Sequence, residues 1–160
     1  MPSPLGLLFL AECRGSPLAV QFVDVEGETG PLERVKRDYP ASTLERSSGT
    51  RTHGLLQAYF AGRPAVWEFS AGIAGSPFEL QVWRLLHAIP FGRTETYGRV
   101  AERLGHPGSA RAVGRANHAN PVAILIPCHR VVGGRGALEG YGGGLWRKQW
   151  LLRHEGVLLV

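Results

Sequence analysis

Apolar positions along this chain change their spacing several times, and each change marks a new element. Residues 5–11 and 18–25 are rich in Leu, Val, Ala and Phe and flank Arg14-Gly15-Ser16-Pro17, which predicts two strands joined by a turn. A second turn is expected at 27–31 and a further strand near 32–37. Leu55, Leu56, Tyr59 and Phe60 share one helical face, predicting a helix over 54–61 that stops at Gly62, with a short strand over 66–69. The small, glycine-bearing stretch 70–75 reads as a linker. Ser76-Pro77-Phe78-Glu79 then supplies a cap, a proline for the first helical position and the acid of a capping box. Phe78, Val82, Leu85, Leu86 and Ile89 follow at helical spacing up to Pro90. Two domains are expected, an α/β scaffold over 1–75 and a mainly α domain over 76–160.

The second part carries the more distinctive outline. Thr96 caps a helix over 97–104, Gly105 ends it, His106-Pro107-Gly108 turns the chain, and a second helix runs over 109–118: a helix-turn-helix. On that second helix Arg111, Arg115 and His118 share one face, while Ala110 and Gly114 keep the face slim. Such a face suits close approach to a nucleic-acid backbone and equally suits a solvated surface. After Asn120-Pro121 the run 122–126 reads as a buried strand delivering Pro127-Cys128-His129-Arg130. Gly133-Gly134-Arg135-Gly136 reads as a hairpin loop, a wing, and a last helix covers 145–155 before Gly156.

Charge sharpens this division. Residues 1–75 hold seven Lys or Arg against eight Asp or Glu, and residues 76–160 hold eleven against five, so the net +5 belongs wholly to the second part. That asymmetry is expected of a domain that meets a polyanion. No apolar run is long enough for a membrane helix. Residues 5–11 lack a preceding basic cluster and a cleavage site, so the expectation is a cytoplasmic protein without a membrane partner. The two cysteines, Cys13 and Cys128, form no Cys-x-x-Cys pair, and the six histidines show no ligand spacing, so no metal site is expected.

Cys128 next to His129 at the end of an apolar run invites a nucleophile reading, because the thiolate reacts and a base makes it accessible. Neighbouring side chains on an extended strand point to opposite faces, so cooperation requires a bend or a relaying water. A buried structural cysteine beside a hydrogen-bonded histidine would produce the same dipeptide.

The longer text around it resembles the O6-alkylguanine-DNA alkyltransferases: Ile124-Leu125-Ile126-Pro127-Cys128-His129-Arg130-Val131-Val132, Arg111-Ala112-Val113-Gly114, Asn120-Pro121-Val122, Tyr141-Gly142-Gly143-Gly144-Leu145, and Trp150-Leu151-Leu152-Arg153-His154-Glu155-Gly156. The resemblance spans roughly 76–156. It implies a ribonuclease-H-like α/β N-terminal domain and a winged-helix-like C-terminal domain. It implies direct reversal of damage: one irreversible transfer of an alkyl group from O6-alkylguanine, and also from O4-alkylthymine, in duplex DNA to Cys128 after base flipping. By resemblance His129 is the base acting through water, Glu155 orients it, and Tyr97 assists departure of the guanine. Asn120, Val131, Tyr141 and Gly142 shape the base pocket. Arg111 is the finger replacing the extruded nucleotide, with Ala110, Gly114, Arg115 and Arg135 at the DNA. The resemblance implies no cofactor or metal, and a monomer able to bind DNA cooperatively. The alternatives are a non-catalytic sensor of alkylated bases and a cysteine hydrolase. Three positions depart from better-known relatives: Ala123 for a proline, Gly142 for a serine, and Glu139 for a small residue beside the pocket.

Overall fold

The computed structural model describes residues 1–26, 29–70 and 72–157. They form two units, one of Met1–Ala74 with Pro121–Leu125 and one of Gly75–Asn120 with Ile126–Val160, the last three residues of which lie outside the description.

The first unit is built on an antiparallel sheet of β1 (Pro2–Ser3), β2 (Gly6–Cys13) and β3 (Ser16–Phe22), in that order. Arg14 at φ 50° and Gly15 at φ 77° form the β2–β3 turn, and two left-handed central residues match the twist of a tight hairpin. Leu8, Ala19, Val20 and Phe22 are buried with Leu5, Val35, Leu56 and Tyr59. The strand expected over 18–25 ends at Phe22, where α1 (Val23–Glu26) begins. The turn expected at 27–31 and the linker at 70–75 each include residues outside the description (27, 28 and 71).

Residues 32–37 are not a strand. They lie within α2 (Gly30–Asp38), with Pro31 and Val35 buried. These two apolar residues are four apart and fall on one helical face, Glu33 occupies the first turn, and Lys36 and Arg37 the last, as the helix dipole favours. Helix α3 (Arg51–Phe60) starts three residues before its expected position because Thr50 caps it, accepting from His53 N. A second oxygen helps hold this helix end: Thr52 N donates to Glu12 Oε2 at 2.8 Å. Residues 66–69 pair with no strand among the described residues; Trp67 is buried and its indole donates to Leu125 O at 3.3 Å.

The apolar run 122–126 is also not a strand. It makes one bridge, Val122 to Val20, and then leaves extended geometry at Ile124, whose φ is 72°. A β-branched residue in the left-handed region is strained. Periodicity cannot separate a buried strand from a buried irregular segment, because both read as an unbroken apolar run.

In the second unit α4 (Pro77–His87) carries the full capping box: Glu79 N donates to Ser76 Oγ at 3.3 Å, and Ser76 N to Glu79 Oε2 at 2.8 Å. Its Trp83 indole donates to Ala116 O at 2.8 Å, tying α4 to the helix that carries Ala116. Gly75 lies flat against that indole, where a Cβ would come within 2.5 Å of the ring. Helices α5 (Tyr97–Arg103) and α6 (Ala110–His118) flank the turn at 106–108, and α7 (Leu145–His154) closes the unit. A two-residue parallel pair absent from the sequence expectations joins β4 (Glu95–Thr96) to β5 (Val131–Val132). Residues 134–136 form a single 3-10 turn, and Gly133 N donates to Ala137 O at 2.8 Å; no strand follows it among the described residues, so the expected hairpin is not formed.

Candidate active site

Pro127 turns the chain at φ −80°, ψ 63°, and Cys128–Arg130 form one 3-10 turn before β5. The alternation of an extended strand therefore does not apply to Cys128 and His129. Three consecutive side chains, Cys128, His129 and Arg130, are all buried. His129 Nε2 lies 2.7 Å from Glu155 Oε1. Arg130 grips the same carboxylate with both ends of its fork, Nε to Oε2 at 2.8 Å and Nη2 to Oε1 at 2.9 Å, and Gly92 N adds a bond to Oε2 at 3.1 Å. Arg130 Nη1 also donates to Ile89 O.

The electrostatics follow from these distances. Burial alone would raise the Glu155 pKa, but the hydrogen bonds and charges of His129 and Arg130 outweigh it and bring it down to about 2. Glu155 is therefore ionised and can only accept, so His129 Nε2 carries the proton between them. Burial lowers the His129 pKa against the pull of Glu155, with the Arg130 charge adding to the lowering, so the ring is neutral near pH 7. A neutral imidazole protonated on Nε2 has its basic lone pair on Nδ1.

Burial pushes the Cys128 thiol up, opposed by the Asn120 side chain, the Lys148 charge and the Tyr141 side chain. Lys148 is fully buried, and its ammonium donates to Val131 O and Glu139 O at 2.6 Å each and to Gly140 O at 3.4 Å. Burial lowers its pKa to about 8. Asn120 Nδ2 donates to Ile126 O at 2.8 Å, a bond between the residues on either side of Pro121–Leu125.

A cavity of about 550 Å³ lies within the second unit. Tyr97, Ala110, Arg111, Gly114, Tyr141 and Gly142 line it, with Asn117 and Glu139. Tyr141 belongs both to this wall and to the surroundings of the thiol. Tyr97 stands half-buried with its hydroxyl 3.5 Å from Gly140 O, and burial raises its pKa. The Cα of Gly142 faces His118, which a Cβ there would meet at 3.5 Å. Arg111 is exposed at the cavity rim. Arg115 and Arg135 are exposed and do not line it, Arg135 being held at φ 60°. Val131 is buried, with its amide bonded to Cys128 O and its carbonyl taken by Lys148.

Three residues that tertiary structure brings into this cluster were not singled out from sequence: Arg130, Lys148 and Asn117. Lys148 left a faint signal, since it precedes Leu151 and Leu152 by one helical turn and so falls on the buried face of α7. Among the described residues no group of three or more His, Cys, Asp or Glu could hold a metal ion. No helix there is long and apolar enough to cross a membrane.

The family model of the 6-O-methylguanine DNA methyltransferase DNA-binding domain matches residues 77–157, more than half of the chain. The chain belongs to this family. A methylated-DNA–protein-cysteine methyltransferase of Mycolicibacterium paratuberculosis is 55% identical over 156 residues, covering 96% of this chain and 88% of its own. The crystal structure of the Mycobacterium tuberculosis O6-methylguanine methyltransferase superposes with a TM-score of 0.79 at 38% identity, covering 97% of this chain and 89% of that one. The structure of the M. tuberculosis protein in complex with DNA gives 0.72 at 36% identity over the same shares. This family member is thus a mixed α/β protein with small sheets and, among the described residues, seven α-helices.

Proposed function

We propose that this chain is a methylated-DNA–protein-cysteine methyltransferase that repairs duplex DNA by moving the alkyl group of O6-alkylguanine irreversibly onto Sγ of Cys128. The observation that carries this reading is a buried thiol whose neighbour Tyr141 also lines a cavity, with a neutral histidine held beside it by an ionised, arginine-clamped carboxylate. The lesion must leave the base stack for the sulfur to reach the alkyl carbon in line with the C–O6 bond, at a cost of a few kcal/mol. Arg111 at the cavity rim fills the gap in the duplex. The slim face of Ala110 and Gly114 lets α6 approach a minor groove only about 6 Å wide. Arg115 and Arg135 contact the DNA backbone.

In the chemical step the thiol proton passes through a water to His129, whose imidazolium Glu155 stabilises. A sulfur–carbon bond forms, the carbon–O6 bond breaks, and its electron pair leaves with guanine. Tyr97 supplies the proton or hydrogen bond at purine N3 that guanine needs to depart. The sum is one thiol and one alkylguanine converted to one thioether and one guanine. Asn120, Val131, Tyr141 and Gly142 hold the flipped base. A thioether has no activated leaving path, so each molecule acts once. O4-alkylthymine is a second substrate. The reading extends to a ribonuclease-H-like first domain over 1–75 and a winged-helix-like second domain over 76–160. It also takes the protein to be a cytoplasmic monomer able to bind DNA cooperatively.

The experiment is a titration with duplex carrying labelled O6-methylguanine, read by mass of the intact chain and of the Cys128 peptide. The wild type should gain one methyl and stop at one equivalent, while Cys128→Ala should bind the duplex and gain none. Label on the variant, or turnover beyond one equivalent, defeats the proposal.

A further inference from the structure

The loop 140–144 carries Tyr141 and has little stiffness of its own. Every other residue in it is glycine, with Gly140 at φ 36° and Gly144 at φ 90°, and glycine loses the most backbone freedom on ordering. Gly144 N donates to Tyr141 O at 2.9 Å within the loop. Two consecutive cations of α7 hold its ends: Lys148 Nζ reaches Gly140 O at 3.4 Å, and Arg147 Nη1 donates to Gly143 O at 2.7 Å. Arg147 is 3% exposed although it sits in the first turn of α7, where a positive charge opposes the helix dipole. Its guanidinium lies 4.4 Å from the centroid of the Trp146 ring, a stacking that favours the planar cation. That indole is 54% exposed and lies over Gly144, where a Cβ would come within 3.4 Å of it. The Tyr141 hydroxyl is withdrawn from solvent, and the side chain hydrogen-bonds the Cys128 sulfur.

We infer that Arg147, braced by Trp146, is a positioning residue for the transfer: it fixes the 140–144 loop so that the Tyr141 hydroxyl meets the Cys128 sulfur. This rests on the proposed alkyl transfer. As the thiol gives up its proton, the sulfur gains charge in a buried site, and a hydroxyl donating to it there stabilises that charge more than it would in water. The donor has to be in place when the proton leaves. A glycine loop free to drift would hold the hydroxyl out of reach in part of the population, and the bond from Arg147 to Gly143 O removes that freedom. Arg147 is not among the residues lining the cavity, so its effect reaches the reaction through the loop.

The test reads two quantities on duplex carrying O6-methylguanine: the single-turnover rate of methyl transfer to Cys128 at saturation, and the duplex concentration giving half that rate. Arg147→Met should slow saturated transfer about three- to fourfold, because the lost hydroxyl is worth roughly tenfold in thiolate population while the more basic thiolate attacks better. The half-saturating concentration should stay at the wild-type value. Tyr141→Phe keeps the ring and removes the hydroxyl, so it should slow transfer as much, and Arg147→Met added to it should slow transfer no further. Arg147→Lys should recover part of the rate. Circular dichroism checks folding; if Arg147→Met does not fold, the same comparison with Arg147→Lys and Trp146→Ala decides, a rate unchanged in both being the overturning result. An unchanged rate in Arg147→Met, a loss confined to half-saturation, or losses that multiply in the double variant also overturns the inference. Failure of wild-type transfer would instead defeat the underlying function, so the two are separable.

Discussion

Among the described residues, the buried polar side chains of the first unit are Gln21 and Thr52, both neutral, whereas those of the second are Asn117, Asn120, His129, Arg130, Arg147, Lys148 and Glu155. The elements around them are of the same kinds, short helices and small sheets, so element type does not account for the difference. Burying charge is a poor way to gain stability: desolvation offsets most of the attraction, and a well-packed apolar substitute often does as well. A unit that buries Lys148 near the Cys128 thiol and Arg130 with Glu155 around the neighbouring His129 is organised for protons and charge. The first unit, with Leu8, Val20, Leu56 and Tyr59 at its centre, is organised for packing. The chemistry and the scaffold are segregated.

The sharpest way to break this comparison is to remove the common partner of the charged cluster. Glu155→Ala leaves the buried Arg130 and His129 without their carboxylate, which should cost about 3–5 kcal/mol of unfolding free energy in a denaturant titration. A loss below about 1 kcal/mol would mean the cluster is solvated in solution.

Acid probes the same group without mutation. The folded-state pKa of Glu155, about 2, lies below its ordinary 4.5. Its contribution is therefore complete above pH 4.5 and is lost as pH falls from 4.5 through 2. The shift corresponds to roughly 3 kcal/mol. His129 acts in the same direction at higher pH: its lowered pKa means the folded state resists a proton that the unfolded chain accepts below about 6.5. Stability of the wild type should decline with acid in this range, and the decline below pH 4.5 should be much smaller in Glu155→Gln.

Val20→Ala addresses the scaffold. Val20 is fully buried and pairs with Val122, so its truncation should cost about 2 kcal/mol through lost burial and a cavity. The amount of methyl accepted per folded molecule should stay at one. A fall in that stoichiometry would show that the first unit does more than support the chain. The smallest effect is expected at Ser76→Ala, which removes the cap of α4 and should cost about 1 kcal/mol, read as a lowered melting temperature with the wild-type stoichiometry retained.

Local signals made much of the second unit legible. The capping box at Ser76, the cap at Thr96 and the positive-φ glycine at 105 act within a few residues, and the helices begin and end close to where those residues put them. In the first unit the helix over Gly30–Asp38 was hidden because only Pro31 and Val35 mark its buried face. The run 122–126 has the pattern of a strand because its departure from extended geometry rests on one strained residue, Ile124, that no local preference requires. Strain of that kind persists only where surrounding packing over-determines it.

The amino-acid order alone determined the helical boundaries set by caps and breakers, the placement of net positive charge in the second part, and the motif in which Cys128 and His129 are neighbours. The resemblance already paired His129 with Glu155, but only the tertiary structure decided that Arg130, twenty-five residues away, shares that carboxylate. It alone brought the Lys148 amine to the carbonyls of residues 131, 139 and 140, and Asn117 and Glu139 to one cavity. The reason is range. Capping and turn preferences are energies between atoms a few bonds apart, whereas the protonation of a buried cluster depends on which distant charges packing brings together and on how much water it removes.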